Sequence, residues 1–439
     1  MVDLEWKQNM LNSKNISPKS PKLSLPFPTL KLPLPLLPND ISTASSTLCT
    51  LYDNYLRLPH LKTLWASNNF PNWANEPIIK PALHALEITF RLISTVSSDP
   101  RPYVNKREWA RRAESLAKAQ IQLISILCED EEHNPNSRGN APVTDVSNIS
   151  QIRSYSEQSL LPKLATWQKS KDIAQRILST VEYEMMRCPY TLGLGEPNFN
   201  GKKILRYDDV CKPNLLHSLE TTPFDHVGNY ENRTLHATHQ IMESWTRAAR
   251  VLMDRVNEAI DGKRFEKAAS ELHAVEKIWK VLIEIEDMHL MMDPEDFLKL
   301  KKQLGIRKWN ETVPFCFRSK ELVEIMKMSR ELKGKVPEIL EVEVDPTGGP
   351  GVMEEAMKVY LEKKSEKVHV LQAMQGIELV MKRFFFAYKQ VVTVMMGTTE
   401  SNSESLSQIF FEPTSFPSLD AAKTFLGYYL ENYENTIHW

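Results

Sequence analysis

Apolar residues recur at steps of three and four along most of the chain, and this spacing constrains the fold more than any other feature. The clearest series is Phe265, Ala268, Leu272, Val275, Trp279, Leu282 and Ile285. Because an α-helix turns once in about 3.6 residues, such a series forms one apolar stripe on a single helix face. The same pattern predicts helices over Lys106–Cys128, Leu161–Met186, Asp296–Leu304, Lys320–Leu332, Met353–Lys363, Val368–Met396 and Leu419–Asn435. A strand pattern is confined to Leu340–Val344. The sequence therefore predicts an all-α protein built as a multi-helix bundle.

Proline and glycine divide this pattern into regions. Residues 1–45 are interrupted by prolines throughout, and because proline fixes its backbone angle and lacks an amide donor, they are predicted to form a disordered, Pro-rich arm. Residues 46–200 are predicted to form an N-terminal helical region with a flexible loop at 133–155. Residues 187–230 are again rich in proline and glycine and indicate a junction. Residues 201–439 are predicted to form a C-terminal helical domain.

Two short repeats in the Pro-rich arm carry candidate modification sites. The strings Ser17-Pro18-Lys19 and Ser20-Pro21-Lys22 have the local chemistry that proline-directed kinases accept. A phosphate on either serine would add about −1.5 to −2 charge in a cationic setting. Ser17 and Ser20 are therefore candidate phosphorylation sites.

The charge and the cysteines of the chain exclude several classes of partner and site. The formal net charge is −2, with 42% apolar and 25% charged residues, so no electrostatic field attracts nucleic acid or anionic lipid. We expect neither nucleic acid nor a membrane as a partner. The five cysteines include no C-x-x-C pair, so neither a zinc site nor a disulfide framework is predicted, and a reducing compartment is favoured.

The sequence also indicates where the protein resides. The long apolar stretch Val368–Met396 is interrupted by Lys382, Arg383 and Lys389. Because a membrane span needs about 20 uninterrupted apolar residues, this stretch is predicted to be a buried core helix. The first residues lack a basic segment followed by an apolar run, so no secretory signal is predicted. We expect a cytoplasmic protein, with the nucleus as a second compartment.

None of the self-sufficient active-site motifs occurs in the sequence. His239 and Glu243 are four residues apart and share a helix face, but the second histidine of the zinc-protease motif H-E-x-x-H is absent. The string Thr347-Gly348-Gly349 lacks the lysine and the hydroxyl residue of a phosphate-binding loop. No G-x-S-x-G nucleophile motif is present. These absences favour a protein without enzymatic activity.

Three short strings in the C-terminal half carry a resemblance to an enzyme family. In order they are HQIMESW at 239–245, PEDFL at 294–298 and FRSKE at 317–321. Their order and spacing resemble tryptophan 2,3-dioxygenase, an all-helical haem enzyme, and imply a dioxygenase-like helical fold for residues 201–439. In that family the histidine of the first string lies on the distal side of the haem, and the arginine of the third clamps the substrate carboxylate. The resemblance thus implies a pocket lined by His239, Glu243, Trp245, Arg318, Glu321 and Tyr388.

The chain differs from that family at positions that the dioxygenase reaction requires. Tyr388 stands where the family has the proximal histidine of the haem; a tyrosine can ligate haem iron, but the dioxygenase reaction uses histidine. The loop at 397–401 lacks the paired glycines of the family, and Leu235 replaces an expected phenylalanine. These departures indicate a retained scaffold without catalysis. No cofactor is therefore expected. If the chain does bind one, the resemblance implies haem.

The same residues also admit a structural interpretation. His239, Arg318 and Glu321 would then form a buried polar network that holds three helices together. Because an unpaired buried charge costs several kcal/mol, Arg318 is predicted to have an acidic partner under either interpretation.

Longer strings, spread over nearly the whole chain, carry a second resemblance. They are Met1-Val2-Asp3 with Trp6-Lys7, YLRLP at 55–59, EDEE at 129–132, YTLGLGE at 190–196, MDPEDFLKLKKQL at 292–304 and VDPTGGP at 344–350. These strings resemble the plant HSPRO family of nematode-resistance-protein-like proteins. The resemblance implies a positive regulator of basal disease resistance, nematode resistance and stress signalling. It also implies a partner: the beta-gamma subunit of the sucrose-non-fermenting-related kinase complex, which senses the energy state of the cell.

Two hypotheses for the function follow from these resemblances. In the first, the chain is a non-enzymatic defence regulator that binds the kinase complex through a helical surface. In the second, it binds haem or an indole compound in the pocket around His239, as a sensor or a degenerate dioxygenase.

Overall fold

The computed structural model describes most of the chain after the Pro-rich arm. The described residues are 50–67, 74–99, 105–132, 155–198, 200–220, 230–304, 318–343, 351–362, 364–397 and 412–437. The predicted arm at 1–45, with Ser17 and Ser20, lies outside these ranges. All of the predicted loop at 133–155 except Tyr155 lies outside them as well.

Helices form nearly all of the described structure. In chain order they are α1 (Leu58–Ala66), α2 (Glu76–Ser98), α3 (Lys106–Glu132), α4 (Leu160–Leu164), α5 (Lys171–Glu184), α6 (Tyr207–Cys211), α7 (Pro213–Ser218), α8 (Tyr230–Asp261), α9 (Phe265–His289), α10 (Pro294–Gln303), α11 (Lys320–Glu331), α12 (Val336–Leu340), α13 (Val352–Leu361), α14 (Ser365–Met396) and α15 (Pro417–Ile437). Residues 50–55 are also helical, and 3₁₀ turns occur at Met185–Arg187 and Leu332–Lys335. The prediction of an all-α, multi-helix fold is confirmed.

The predicted strand at Leu340–Val344 is wrong for the residues that are described. Leu340 is the last residue of α12, and Glu341 follows it in the left-handed conformation, with φ 58° and ψ 40°. The amide of Val342 then donates to the carbonyl of Pro337 at 3.0 Å. A left-handed residue with such a bond closes the end of a helix and turns the chain too sharply for a strand.

A small sheet forms instead in the segment rich in proline and glycine. β1 (Tyr190–Thr191) and β2 (Lys203–Ile204) pair in parallel, with Tyr190 opposite Lys203. Strands of two residues have no alternation for a sequence pattern to show. The helices α6 and α7 follow directly, so this segment holds regular structure of its own.

Helix α9 lies at the centre of the packing. It packs against α14, α8 and α3. Trp279 of α9 contacts Phe384 and Phe385 of α14, with ring centroids 5.3 and 6.4 Å apart. Burying an apolar side chain of this kind stabilises a fold by about 1.5 to 3 kcal/mol. The predicted apolar stripe of α9 therefore forms the middle of the core.

Helix α2 is buried on every side and packs against α8 and α3. A helix in such a position is expected to be apolar all round. However, α2 also carries His84, Glu87 and Arg91, which are all buried. Since buried polar groups in proteins are nearly always hydrogen-bonded, these side chains indicate polar contacts inside the bundle.

The two predicted helical regions share one hydrophobic core. Residues Ile41–Trp439 form a single compact unit, in which α2 of the first region packs against α8 of the second. The division at residue 200 stays a prediction about how the chain is organised.

Among the described helices, none has both the length and the apolar character that crossing a membrane would require.

Candidate functional site

His239 lies on the inner side of α8, where its imidazole is fixed by its own helix and by α9. Its Nδ1 donates a hydrogen bond to the carbonyl of Leu235, at 2.7 Å; because a carbonyl can only accept, Nδ1 carries the proton. The ring stacks on that of His289, with centroids 5.1 Å apart and planes inclined by 21°. Burial, and then the neighbouring His289, lower the pKa of His239 to about 3. His239 is therefore a neutral imidazole near pH 7.

His289 was not among the site residues predicted from the sequence, although its ring stacks on that of His239. Its Nε2 is 2.9 Å from Oγ1 of Thr238, and its Nδ1 is 3.2 Å from Oε2 of Glu286. The ring also meets the edge of Phe297 of α10, with centroids 5.8 Å apart. One signal could have revealed it: His289 continues the apolar stripe of α9 one turn beyond Ile285.

Glu243 lies one turn after His239 on α8 and joins the same group of side chains. Its Oε1 accepts a hydrogen bond from the hydroxyl of Tyr52 at 3.1 Å. Tyr52 in turn places its ring edge against His239, with centroids 6.2 Å apart and an angle of 82°. Burial is the largest cause that raises the pKa of Glu243 to about 7, and the negative charge of Glu321 adds to it. A hydrogen bond with Ser319 opposes this rise.

Glu321 connects three helices. It lies in the first turn of α11, where Ser319 caps the helix by accepting from the amide of Leu322. Its carboxylate is 3.4 Å from Nζ of Lys62 on α1 and 3.2 Å from Nη1 of Arg250 on α8. Both cations are about two-fifths exposed, so each pair contributes only modest stability. The predicted role of Glu321 in holding helices together agrees with these contacts.

The three other predicted residues lie on different parts of the bundle. Arg318 is buried and donates from Nη1 to the carbonyl of Leu304, at 3.3 Å; its predicted acidic partner stays a prediction. Trp245 is fully buried, and its indole N–H donates to Oε1 of Gln120 on α3, at 2.9 Å. Tyr388 is buried on α14, which packs against α9, α10 and α11. The polar atom of Trp245 is therefore engaged with α3.

A second buried network surrounds Glu87 on α2, and the sequence analysis missed it. The carboxylate is fully buried and receives four hydrogen bonds. Its donors are Oγ of Ser159 (2.7 Å), the amide of Leu160 (2.7 Å), Nε2 of His217 (2.8 Å) and the hydroxyl of Tyr207 (3.2 Å). Glu87 thus connects the middle of α2 to the starts of α4 and α6 and to α7. The signal in the sequence is a glutamate inside an otherwise apolar helix.

The geometry around His239 does not suit a haem. One face of the imidazole is covered by His289, and the edge of Tyr52 also contacts the ring. Nδ1 is engaged within α8. In the described ranges, no group of three or more His, Cys, Asp and Glu residues could hold a metal ion. The arrangement favours a polar network that fixes helices over a pocket for a flat cofactor.

An open surface cleft of about 370 Å³ lies elsewhere, between α3 and α5. It is lined by Lys118, Gln122, Arg176, Ser179, Thr180, Tyr183 and Glu184. None of the six predicted pocket residues contributes to it. Arg176 and Lys118 both bind the carboxylate of Glu114, at 2.8 and 2.7 Å, so one carboxylate offsets only part of their positive charge.

Comparison with known proteins assigns both halves of the chain to one family. Residues 1–182 match the model of the Hs1pro-1 N-terminus, and residues 185–432 match that of the Hs1pro-1 protein C-terminus. The chain is 52% identical to the nematode resistance protein-like HSPRO2 of Arabidopsis thaliana, over 97% of this chain and 98% of that protein. It is 49% identical to HSPRO1 of the same plant, over 97% and 99%. The dioxygenase resemblance of the C-terminal half stays a prediction. The predicted resemblance to HSPRO proteins is thus confirmed, and the chain belongs to the Hs1pro-1 family.

Proposed function

We propose that this chain is a non-enzymatic positive regulator of plant resistance to nematodes and other disease, and that it acts by binding a partner protein. The observation that carries the proposal is the identity of about one residue in two, over nearly full length, with two proteins named nematode resistance protein-like. At this level of identity, over nearly the full length of the chains, the fold is shared.

The state of the polar side chains supports a role without catalysis. A catalytic acid, base or ligand must reach the substrate directly or through one water molecule. His239, Glu243 and Glu87 are buried and bonded to other parts of the protein. Their contacts hold helices together, and this is what a stable scaffold for binding requires.

The partner we propose is the energy-sensing kinase complex, contacted through its beta-gamma subunit, in the cytoplasm and also in the nucleus. The family resemblance is the basis for this choice. Exposed apolar side chains offer surface for such a contact: Leu379 and Val394 on α14, and Phe425 and Tyr428 on α15, are each at least half exposed. Apolar and aromatic side chains that become buried at the centre of an interface contribute much of its binding energy.

Co-precipitation of the full chain with the beta-gamma subunit tests the proposal. We expect binding to survive in Arg318→Ala and His239→Ala, because these residues lie inside the bundle. We expect the double variant Phe425→Ala and Tyr428→Ala to bind at least about threefold more weakly, as loss of two contact residues implies. The matched control is Tyr183→Ala, which removes an exposed tyrosine from α5.

Two results would contradict the proposal. One is loss of binding in Arg318→Ala or His239→Ala when circular dichroism shows both to be folded. The other is the absence of any binding by the wild-type chain. The wider role is tested in plants that lack the protein: expression of the chain should restore resistance to nematodes.

A further inference from the structure

Arg91 lies in the middle of α2 with part of its guanidinium unsatisfied. The side chain is only 6% exposed, and Nη2 donates to Oε1 of Gln240 at 2.6 Å. Within the described part of the chain, Nη1 has no hydrogen-bond acceptor. Oε2 of Glu220 lies 3.7 Å from Nε, which is too long for a hydrogen bond. A buried donor without an acceptor is costly, so Nη1 is suited to bind an anion.

Three elements of the fold meet at Arg91. Gln240 of α8 donates from Nε2 to the carbonyl of Leu56, at 3.0 Å. One turn earlier on the same face of α8, Nε2 of His236 bonds to the carbonyl of Tyr55, at 3.1 Å. These bonds bring the chain at 55–57 against α8 beside the guanidinium. Arg91 is therefore the most deeply buried member of a group of side chains that also includes His236 and Arg57.

Arg57, His236 and Glu220 around Arg91 are less completely buried than Arg91 itself. Arg57 has φ 57° and ψ 34°, a left-handed conformation that is unfavourable for a residue with a side chain and that occurs often at binding sites. Arg57 and His236 are half-buried, and Glu220 is 36% exposed. Nη1 of Arg91 is itself buried, so a small anion would reach it by displacing the partly exposed side chain of Glu220.

The charges that face the site come from α2, α8, residues 55–57 and the end of α7. Arg91 and Arg57 are positive, and together with burial they lower the pKa of His236 to about 3, burial being the larger cause. Glu87, the other carboxylate near Arg91, already accepts four hydrogen bonds. Glu220, which is partly exposed, is therefore the carboxylate that would compete with a bound anion for Arg91.

We propose that Arg91, Arg57 and His236 form a binding site for an oxyanion group, a phosphate or a carboxylate, that is bound by Nη1 of Arg91. A guanidinium recognises both groups through paired N–H donors, and such charge-assisted bonds are the strong ones. The ligand displaces Glu220 toward solvent. This site is independent of the proposed partner surface on α14 and α15.

Calorimetric titration of the full chain with inorganic phosphate, and separately with acetate, tests the proposal at an ionic strength held constant with sodium chloride. We expect saturable binding of at least one anion at millimolar concentration or below. Arg57→Gln should weaken it about tenfold, as removal of a charge-assisted bond implies. Glu220→Gln should strengthen it at least about threefold, because the competing carboxylate is gone. A preference for phosphate indicates a phosphorylated ligand, and a preference for acetate indicates a carboxylate ligand.

Arg111→Gln is the matched control, since Arg111 is exposed and pairs with Glu108 at 2.7 Å. It should leave the affinity unchanged. Arg91→Gln removes the most deeply buried group of the site, but it lies in the core and is used only if it folds. The proposal is overturned if the folded wild-type chain binds neither anion. It is equally overturned if Glu220→Gln weakens binding, or if Arg111→Gln weakens it as much as Arg57→Gln, because the anion is then held by general surface charge.

Discussion

The imidazoles of His239 and His289 lie stacked, with centroids 5.1 Å apart, at the point where α8 crosses α9. Each ring is also bonded to a different part of the bundle: His239 to the carbonyl of Leu235, and His289 to Thr238 and Glu286. Because both rings are buried, their polar atoms would be costly without these partners. The pair thus fixes the register of two long central helices.

We expect His289→Leu to lower the free energy of unfolding by about 1 to 3 kcal/mol, since the buried carboxylate of Glu286 loses a hydrogen-bond partner. Urea denaturation monitored by circular dichroism measures this change. His273→Leu is the matched control, because His273 lies on the same helix but is 59% exposed. Its effect should stay within about 0.5 kcal/mol. Equal effects of the two substitutions would show that the stacked pair has no special role.

The carboxyl of Glu243 gives the protein a predictable dependence on pH. Its pKa is raised from 4.5 to about 7 in the folded state, so the folded protein binds more protons than the unfolded one between these values. Stability from this group is therefore full below pH 4.5 and is lost as the pH rises toward 7. The pKa of His239 is lowered from 6.5 to about 3 in the folded state. Its contribution to stability therefore has the opposite sign of pH dependence, and it increases as the pH rises from about 3 to 6.5.

A comparison of the wild-type chain with Glu243→Gln separates these opposing effects. The glutamine keeps a carbonyl that can accept from Tyr52 but does not titrate. We expect the wild-type chain to lose on the order of 1 to 3 kcal/mol relative to the variant as the pH rises from 5 to 8. Thermal or urea unfolding across this range measures the difference. A difference that does not depend on pH would show that Glu243 does not titrate there.

Glu87→Ala should be among the most damaging single substitutions in the chain. It leaves Ser159, His217 and the amide of Leu160 without their acceptor, whereas the hydroxyl of Tyr207 keeps the carbonyl of Leu83 at 3.2 Å. We expect a loss of about 3 to 5 kcal/mol, as for a broken buried pair. Thermal unfolding measures the loss, and faster hydrogen exchange of the Leu160 amide locates it. Glu266→Ala on the exposed face of α9 is the control. An unchanged exchange rate at Leu160 would contradict the role of Glu87.

The sequence predicted the helical fold well where the apolar period was regular. Trp279 and its neighbours form the stripe that the 3.6-residue spacing implies, because burial of that stripe determines how α9 packs. At residues 340–341 the prediction failed, since the end of α12 depends on the left-handed Glu341 and on a hydrogen bond that no periodicity shows.

The candidate site was only partly predictable. The spacing of His239 and Glu243 on one helix face follows from the sequence alone. Their partners Tyr52 and His289 come from distant parts of the chain, so they are fixed by helix packing. The same holds for Glu87, whose donors lie 72 to 130 residues away. Long-range polar contacts of this kind carry no local signal.

The hypothesis that the protein binds haem can be tested against the packing around His239, which leaves the imidazole covered. Because His289 covers one face of the imidazole and Tyr52 packs against the same ring at an angle of 82°, we expect purified protein titrated with haem to show no sharp Soret band and no saturation at one equivalent. The visible absorption spectrum, including the Soret region, provides the measurement. A sharp band that is lost in Tyr388→Phe but kept in Tyr428→Phe would establish haem ligation at Tyr388.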